Sequence, residues 1–355
     1  MCLYPRLIIN RKYTPTIKNK GHVPKIKDER TRFVPVGCGK CMECMKQKAR
    51  EWKVRLMEEM RVKTVDIKFI TLSFSNESLI ELEREVNKGQ VKAMGYKLDN
   101  EIATLAVRRY LERWRWRFKK SQKHWFVTEL GQTNTERLHI HGLIWTDEDI
   151  KIISEVWKYG KVWVGDYVNE RTVNYIVKYI NKTDENHKYY KPIVLVSPGM
   201  GCNYLKRYDS ENNLYQGKDT NEMYKTRQGR KLPLPKYYRN KLYDEEEKEE
   251  LWINLIDKQE RWVNGIKIDI SQNEIDYYKV LEEQRIVNKT LGYGDDEKNW
   301  DEKQYELNRR NLKRKQRSKD GADGAERPIS RIKHNEQIMK ELINNFGNNG
   351  NSTQI

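Results

Sequence analysis

The chain is 355 residues long and carries 69 Lys and Arg against 52 Asp and Glu, a formal net charge of +17. Hydrophobic residues make up 37% and charged residues 34%, so part of the chain is expected outside any packed core. No window approaches the roughly 18 apolar residues of a membrane span, and Met1-Cys2-Leu3-Tyr4-Pro5-Arg6 lacks a signal peptide's apolar core, which argues against a secreted or membrane protein. The cationic surplus points to a polyanion, nucleic acid before membrane, and 10 Trp and 21 Tyr supply rings that stack on unpaired bases.

Residues 1–36, with Pro5, Pro15, Pro24 and Pro35, read as extended chain draped on a domain. Residues 42–62 read as a helix, with Met45, Ala49, Trp52, Leu56 and Met60 at helical spacing. Residues 67–74 read as a strand rich in β-formers. An amphipathic helix follows at 101–120; Val107, Leu111, Trp114 and Phe118 form its stripe, and Arg108, Arg109, Arg113, Arg115 and Arg117 crowd the rest as candidate phosphate contacts. Strands at 124–130 and 137–145 form a hairpin over a polar turn at 131–136, with a short strand at 161–168 and a helix at 171–182. Beyond residue 245 the composition shifts: an acidic run at 245–250, six basic residues among 309–317, also candidate phosphate contacts, and an asparagine-rich stretch at 344–351 that reads as disordered. The fold class expected is α+β, an antiparallel sheet of about five strands with helices on one face. The expected divisions are an N-terminal segment at 1–62 with a cysteine cluster and helix, a main domain at 63–245, and a charged, partly disordered tail at 246–355.

In Leu138-His139-Ile140-His141, alternation puts both imidazoles on one face of the strand and Leu138 and Ile140 on the other. Glu129 lies on the preceding strand, close enough across the hairpin to add a carboxylate. Two nitrogens and one oxygen suit a divalent metal with open positions for a substrate oxygen. Two surface histidines would give the same pattern, although the chain has only six histidines to spend.

In the helix at 171–182, Val173, Ile176, Val177 and Ile180 form a stripe for burial. Tyr175 and Tyr179 share another face, well away from that stripe, where Lys178 and Lys182 flank them and would attract phosphate. A tyrosine hydroxyl beside a metal and a lysine can attack phosphorus. Exposed tyrosines on a solvated helix are the structural alternative.

Phe69-Ile70-Thr71-Leu72-Ser73-Phe74, His139-Ile140-His141 and Tyr175-Ile176-Val177-Lys178-Tyr179, in this order, resemble the three motifs of the HUH endonuclease superfamily, the rolling-circle replication initiators, in its two-tyrosine version. Val36-Gly37-Cys38-Gly39-Lys40-Cys41-Met42-Glu43-Cys44, Pro198-Gly199-Met200-Gly201 and Leu234-Pro235-Lys236-Tyr237-Tyr238 are similar to segments of initiators from small single-stranded DNA bacteriophages, microviruses of the gokushovirus type. The likeness covers about residues 1–245. It implies an HUH/RRM-like fold that nicks single-stranded or extruded origin DNA with Mg²⁺ or Mn²⁺ on His139, His141 and Glu129. Tyr175 and Tyr179 would be the nucleophiles, leaving a 5′-phosphotyrosine and a 3′-OH for a host polymerase, with Lys178 lowering the phenol's effective pKa. The implied partners are a viral replication origin, a host helicase and a host polymerase, in the cytoplasm of a bacterial host. An HUH transposase or relaxase is a rival of the same fold. A non-catalytic single-stranded DNA-binding protein is a rival of another class.

Five cysteines are too few and too oddly numbered for a disulfide framework, and they fit a reducing compartment. Cys38, Cys41 and Cys44 give three thiolates, a candidate structural Zn²⁺ site whose fourth ligand could come from Cys2, Cys202 or His22. Reduced thiols at a helix start are the alternative.

Overall fold

The computed structural model describes residues 1–320, apart from residues 18, 63–64, 132–135, 166–167, 183–185, 188 and 297–299. The asparagine-rich stretch at 344–351 and most of the expected turn at 131–136 lie outside the described residues. The N-terminal segment is more ordered than extended chain, because β1 (Arg6–Ile9) pairs antiparallel with β2 (Phe33–Val36). α1 (Met42–Met60) and β3 (Ile67–Leu72) follow close to expectation. α2 (Asn76–Val86) was not anticipated, although the Ser75 hydroxyl accepts the Ser78 N–H as an N-cap. α3 (Gly95–Phe118) starts six residues earlier than its stripe suggested, because Leu98 and Ile102 extend the buried face. β4 (Lys123–Leu130) and β5 (Leu138–Trp145) form the hairpin. α4 (Ile150–Trp157), capped by Asp149, leads to β6 (Val162–Gly165). The tyrosine-bearing helix is split at Val177 into α5 (Glu170–Ile176) and α6 (Lys178–Asn181), and β7 (Val194–Val196) closes this part of the chain.

Five of these strands form one antiparallel sheet in the order β6-β3-β5-β4-β7, with β5 in the middle. On one face, Ile70, Leu72, Phe126, Leu138, Ile140 and Ile144 pack against α2, α3 and α4. Phe126 and Ile140 are fully buried, each stabilising by about 1.5–3 kcal/mol. The expectation of helices on one face is corrected by the other face, where Phe69, Trp125, Val127, Leu143 and Trp145 pack against Ala49 and Leu56 of α1 and Val173, Ile176 and Ile180 of α5 and α6. The reason is visible in β5: Leu143 and Trp145 share parity with His139 and His141, so the histidine face is apolar over half its length and must be covered. Gly142 lets β4 and β5 close up, since a Cβ there would stand 2.2 Å from Phe126 Cδ1.

The arginines of α3 belong to the face opposite the histidines and are engaged within the protein. Arg113 donates to the carbonyls of Val156 and Trp157 at the end of α4, at 2.7 Å each. Arg108 pairs with Glu112, Arg109 with Glu85, and Arg117 with Glu155. This removes most of the basic face that the sequence offered for phosphate contact.

Further along are the small hairpin β8 (Met223–Lys225) and β9 (Lys231–Pro233), α7 (Lys236–Leu242) and α8 (Glu245–Asp257). The acidic run is the first turn of α8, where Asp244 and Glu247 form a capping box and the negative charges favour the helix N-terminus. A second hairpin, β10 (Glu260–Val263) and β11 (Ile266–Asp269), precedes α9 (Ile275–Thr290) and α10 (Trp300–Asp320). Val263, Ile268, Tyr277 and Leu281 pack on Leu3, Tyr4, Cys41 and Met42. Arg310 of α10, from the basic run at 309–317, is fully buried against Asp99 of α3, 3.0 Å away, and donates to the Glu136 carbonyl. Arg309 pairs with Glu136, and Arg314 with Asp99 at 2.9 Å. Three of that run's cations are therefore spent inside the protein as well.

Candidate active site

The site lies on the α5–α6 face of the sheet, where the register sets Glu129 opposite His139 and both Thr71 and Val127 opposite His141. Strand alternation points Glu129, His139 and His141 the same way, as the sequence reading expected. His141 is 7% exposed and makes a polar contact at each nitrogen: Nδ1 is 3.0 Å from Thr71 Oγ1, and Nε2 is 2.7 Å from Glu129 Oε2. Thr71 thereby fixes the ring's orientation. Glu129 accepts a second charged hydrogen bond, from Lys182 Nζ at 2.5 Å. Burial disfavours the Glu129 carboxylate, but the His141 hydrogen bond and charge, with the Lys182 cation, outweigh it and hold the carboxyl at about 2.

Tyr179 lies flat on His141, with ring centroids 4.1 Å apart and planes 7° from parallel. Its hydroxyl is 2.9 Å from that of Tyr175, whose ring stands edge-on to Phe69. The stripe Val173, Ile176, Val177 and Ile180 is buried as expected. The tyrosines are not on a separate solvated face, however; both are half-buried and pack against the same apolar cluster as the stripe. The physical reason is that α5 and α6 rest on a sheet face carrying Phe69 and His141, whose aromatic rings cover the stripe's flank. Burial, then the neighbouring Tyr175 hydroxyl and the Glu129 charge, push the Tyr179 phenol far above its ordinary value.

The structure brings Tyr175, Tyr179, His141 and Glu129 together. The His139 ring stands farther out, its centroid 6.4 Å from that of His141. Lys178 is exposed, and it is Lys182 that reaches Glu129, lying also 5.9 Å from the Tyr179 ring centroid. Glu129, Tyr179 and Lys182 share a cleft with Lys40, Lys191 and Tyr293, a cationic and aromatic surround. Thr71 was not singled out from the sequence, and Lys182 was read only as a flanking charge.

Among the described residues, only Cys2, Cys38, Cys41 and Cys44 bring three or more His, Cys, Asp or Glu ligand atoms within 4.8 Å of one another. These four could hold a structural metal such as zinc. Cys2 takes the open fourth place, and neither Cys202 nor His22 joins the group. Among the described residues no helix is long and apolar enough to cross a membrane.

Residues 67–184 match the family model of the replication-associated proteins of the ORF2 type, consistent with a rolling-circle replication initiator. The matched segment, a third of the chain, runs from β3 past α6 and so spans Thr71, Glu129, both histidines of β5, both tyrosines and Lys182. No curated protein and no solved structure matches the chain.

Proposed function

We propose that the protein is an HUH-type, two-tyrosine rolling-circle initiator of the microvirus kind, which nicks single-stranded or extruded origin DNA and stays joined to the 5′ end. The observation that carries this reading is the stacking of Tyr179 on His141 at 4.1 Å, with the Tyr175 hydroxyl 2.9 Å from that of Tyr179 and Glu129 2.7 Å from His141. A structural tyrosine pair has no need of an ionised, buried carboxylate beside it, whereas phosphoryl transfer uses such a cluster.

The donor set fits a divalent ion. His141 Nε2 and Glu129 Oε2 stand 2.7 Å apart, near the roughly 3 Å between adjacent ligands of an octahedral Mg²⁺ or Mn²⁺. His139, half-buried on the same face, completes the set after a change of its side-chain rotamer. Bound there, the ion would supply Lewis-acid polarisation of the scissile phosphate.

The chain's own groups do the rest. Thr71 holds the His141 ring in place. Lys182 neutralises Glu129 and, at the edge of the cleft, attracts the phosphate. One phenol, Tyr179 or Tyr175, loses its proton as its oxygen bonds to phosphorus. The P–O3′ bond breaks, the 3′-oxygen gains a proton, and the 5′-phosphate remains on the tyrosine. The other phenol is left free for a second cut, after which the freed 3′-OH attacks the phosphotyrosine and reseals the strand. Lys178, on the exposed side of α6, contacts the strand's phosphates from outside.

His141→Ala tests the reading. Labelled single-stranded origin DNA with Mn²⁺ should be cut by the unaltered protein and left whole by the variant. Single-strand affinity should persist, because phosphate neutralisation supplies most of it. Equal loss of binding and cutting would make His141 a structural residue and end the proposal.

A further inference from the structure

Cys2, Cys38, Cys41 and Cys44 form no disulfide. Cys2 Sγ is 3.9 Å from Cys41 Sγ, and Cys38 Sγ is 4.0 Å from Cys44 Sγ. Four thiolates on a tetrahedral zinc with bonds of about 2.3 Å stand about 3.8 Å apart, whereas a disulfide needs about 2.05 Å. The observed separations are those of a tetrahedral edge.

The backbone is already arranged to support negative sulfur. Cys38 Sγ accepts N–H groups from Lys40 at 3.5 Å and Cys41 at 3.3 Å. Cys2 Sγ accepts those of Tyr4 at 3.3 Å and Cys38 at 3.2 Å. Donors of this kind orient ligands and offset the charge of a thiolate. Gly37 makes room for the cluster, since a Cβ there would stand 3.1 Å from Cys44 Sγ.

We propose that these cysteines bind one zinc ion as a structural tetrathiolate site, closed by Cys2, and that the ion ties the N-terminus and α1 to the C-terminal elements beside the cleft. The connection runs through buried contacts. The Asn288 side chain, fully buried at the end of α9, accepts the Met42 N–H at 2.8 Å and donates to the Gly294 carbonyl at 3.2 Å. The Lys40 carbonyl, inside the cysteine turn, accepts the Gly294 N–H at 3.2 Å. Lys40, Tyr293 and Gly294 line the same cleft as Tyr179 and Glu129. The zinc therefore holds part of the cleft lining without touching the reacting groups. The inference stands apart from the nuclease proposal, because zinc is counted without DNA.

The test is native mass spectrometry of the full chain purified without chelator. It should show one zinc per chain, and titration with an organomercurial should release that zinc as four thiols react. Cys2→Ser should weaken zinc binding by at least the roughly 10–100-fold that loss of an outer-shell partner costs. Cys202→Ser should leave the zinc content at one. Should Cys2→Ser fail to fold, cobalt substitution of the unaltered protein decides: a strong thiolate-to-cobalt charge-transfer band of four-sulfur tetrahedral type supports the site. Fewer than about half an equivalent of zinc, release on reaction of three thiols, or full zinc affinity in Cys2→Ser would overturn it.

Discussion

Replacing Glu129 by Gln removes one ionisation and almost no volume. The Glu129 side chain is 17% exposed, and its carboxyl sits at about 2 rather than the ordinary 4.5. That gap corresponds to about 3 kcal/mol of folding free energy, fully present above pH 4.5 and lost as pH falls toward 2. The sign follows from the lowered value: in the window between the two, the unfolded chain takes up the proton and the folded chain does not. At pH 3 the same relation leaves about 1.4 kcal/mol. A neutral amide cannot hold Lys182 by charge, so Glu129→Gln should unfold at lower urea than the unaltered protein at pH 7, and the gap should roughly halve by pH 3. Urea titrations of both proteins across that range measure it. A gap that stays constant from pH 7 to pH 3 would refute the assignment of an ionised, paired Glu129.

Arg310→Met leaves Asp99 and Glu136 short of a buried cation and should cost about 3 kcal/mol in urea unfolding; a loss under about 1 kcal/mol would mean α10 is not held there. Alanine at Arg108, Arg109 or Arg117 should leave the salt dependence of single-strand affinity unchanged, whereas Lys182→Ala should reduce its slope by about 0.7, the value of one phosphate contact; the reverse pattern would put the DNA on α3. Tyr175→Phe and Tyr179→Phe should each keep some covalent DNA attachment and fail at strand transfer, read on a denaturing gel, and one silent variant would leave a single nucleophile.

Much of the site was legible because alternation and helical spacing are short-range rules. His139 and His141 share a face, Glu129 meets that face across the hairpin, and the stripe Val173, Ile176, Val177 and Ile180 is buried. The same rules held unused information. Leu143 and Trp145 continue the histidine face and predict a second helical layer. Lys182 stands three residues beyond Tyr179 and shares its side of the helix, while Lys178, one residue before it, turns away; spacing favoured Lys182. Other features depend on contacts distant in the sequence. Cys2 joins the cysteine turn from 36 residues away, and no local spacing selects it over Cys202. Basic side chains look alike in sequence whether they face DNA or a carboxylate, so Arg109 and Arg310 revealed their partners only once Glu85 and Asp99 were placed.

The central claim is that Tyr175 and Tyr179 attack DNA beside His141 and Glu129. Its most direct test is peptide mapping of the covalent adduct formed with single-stranded origin DNA and Mn²⁺ under repeated turnover. The account predicts nucleotide-bearing phosphotyrosine at both Tyr175 and Tyr179, and no adduct when both are phenylalanine. An adduct on any other residue, or one that survives in the double variant, would contradict it.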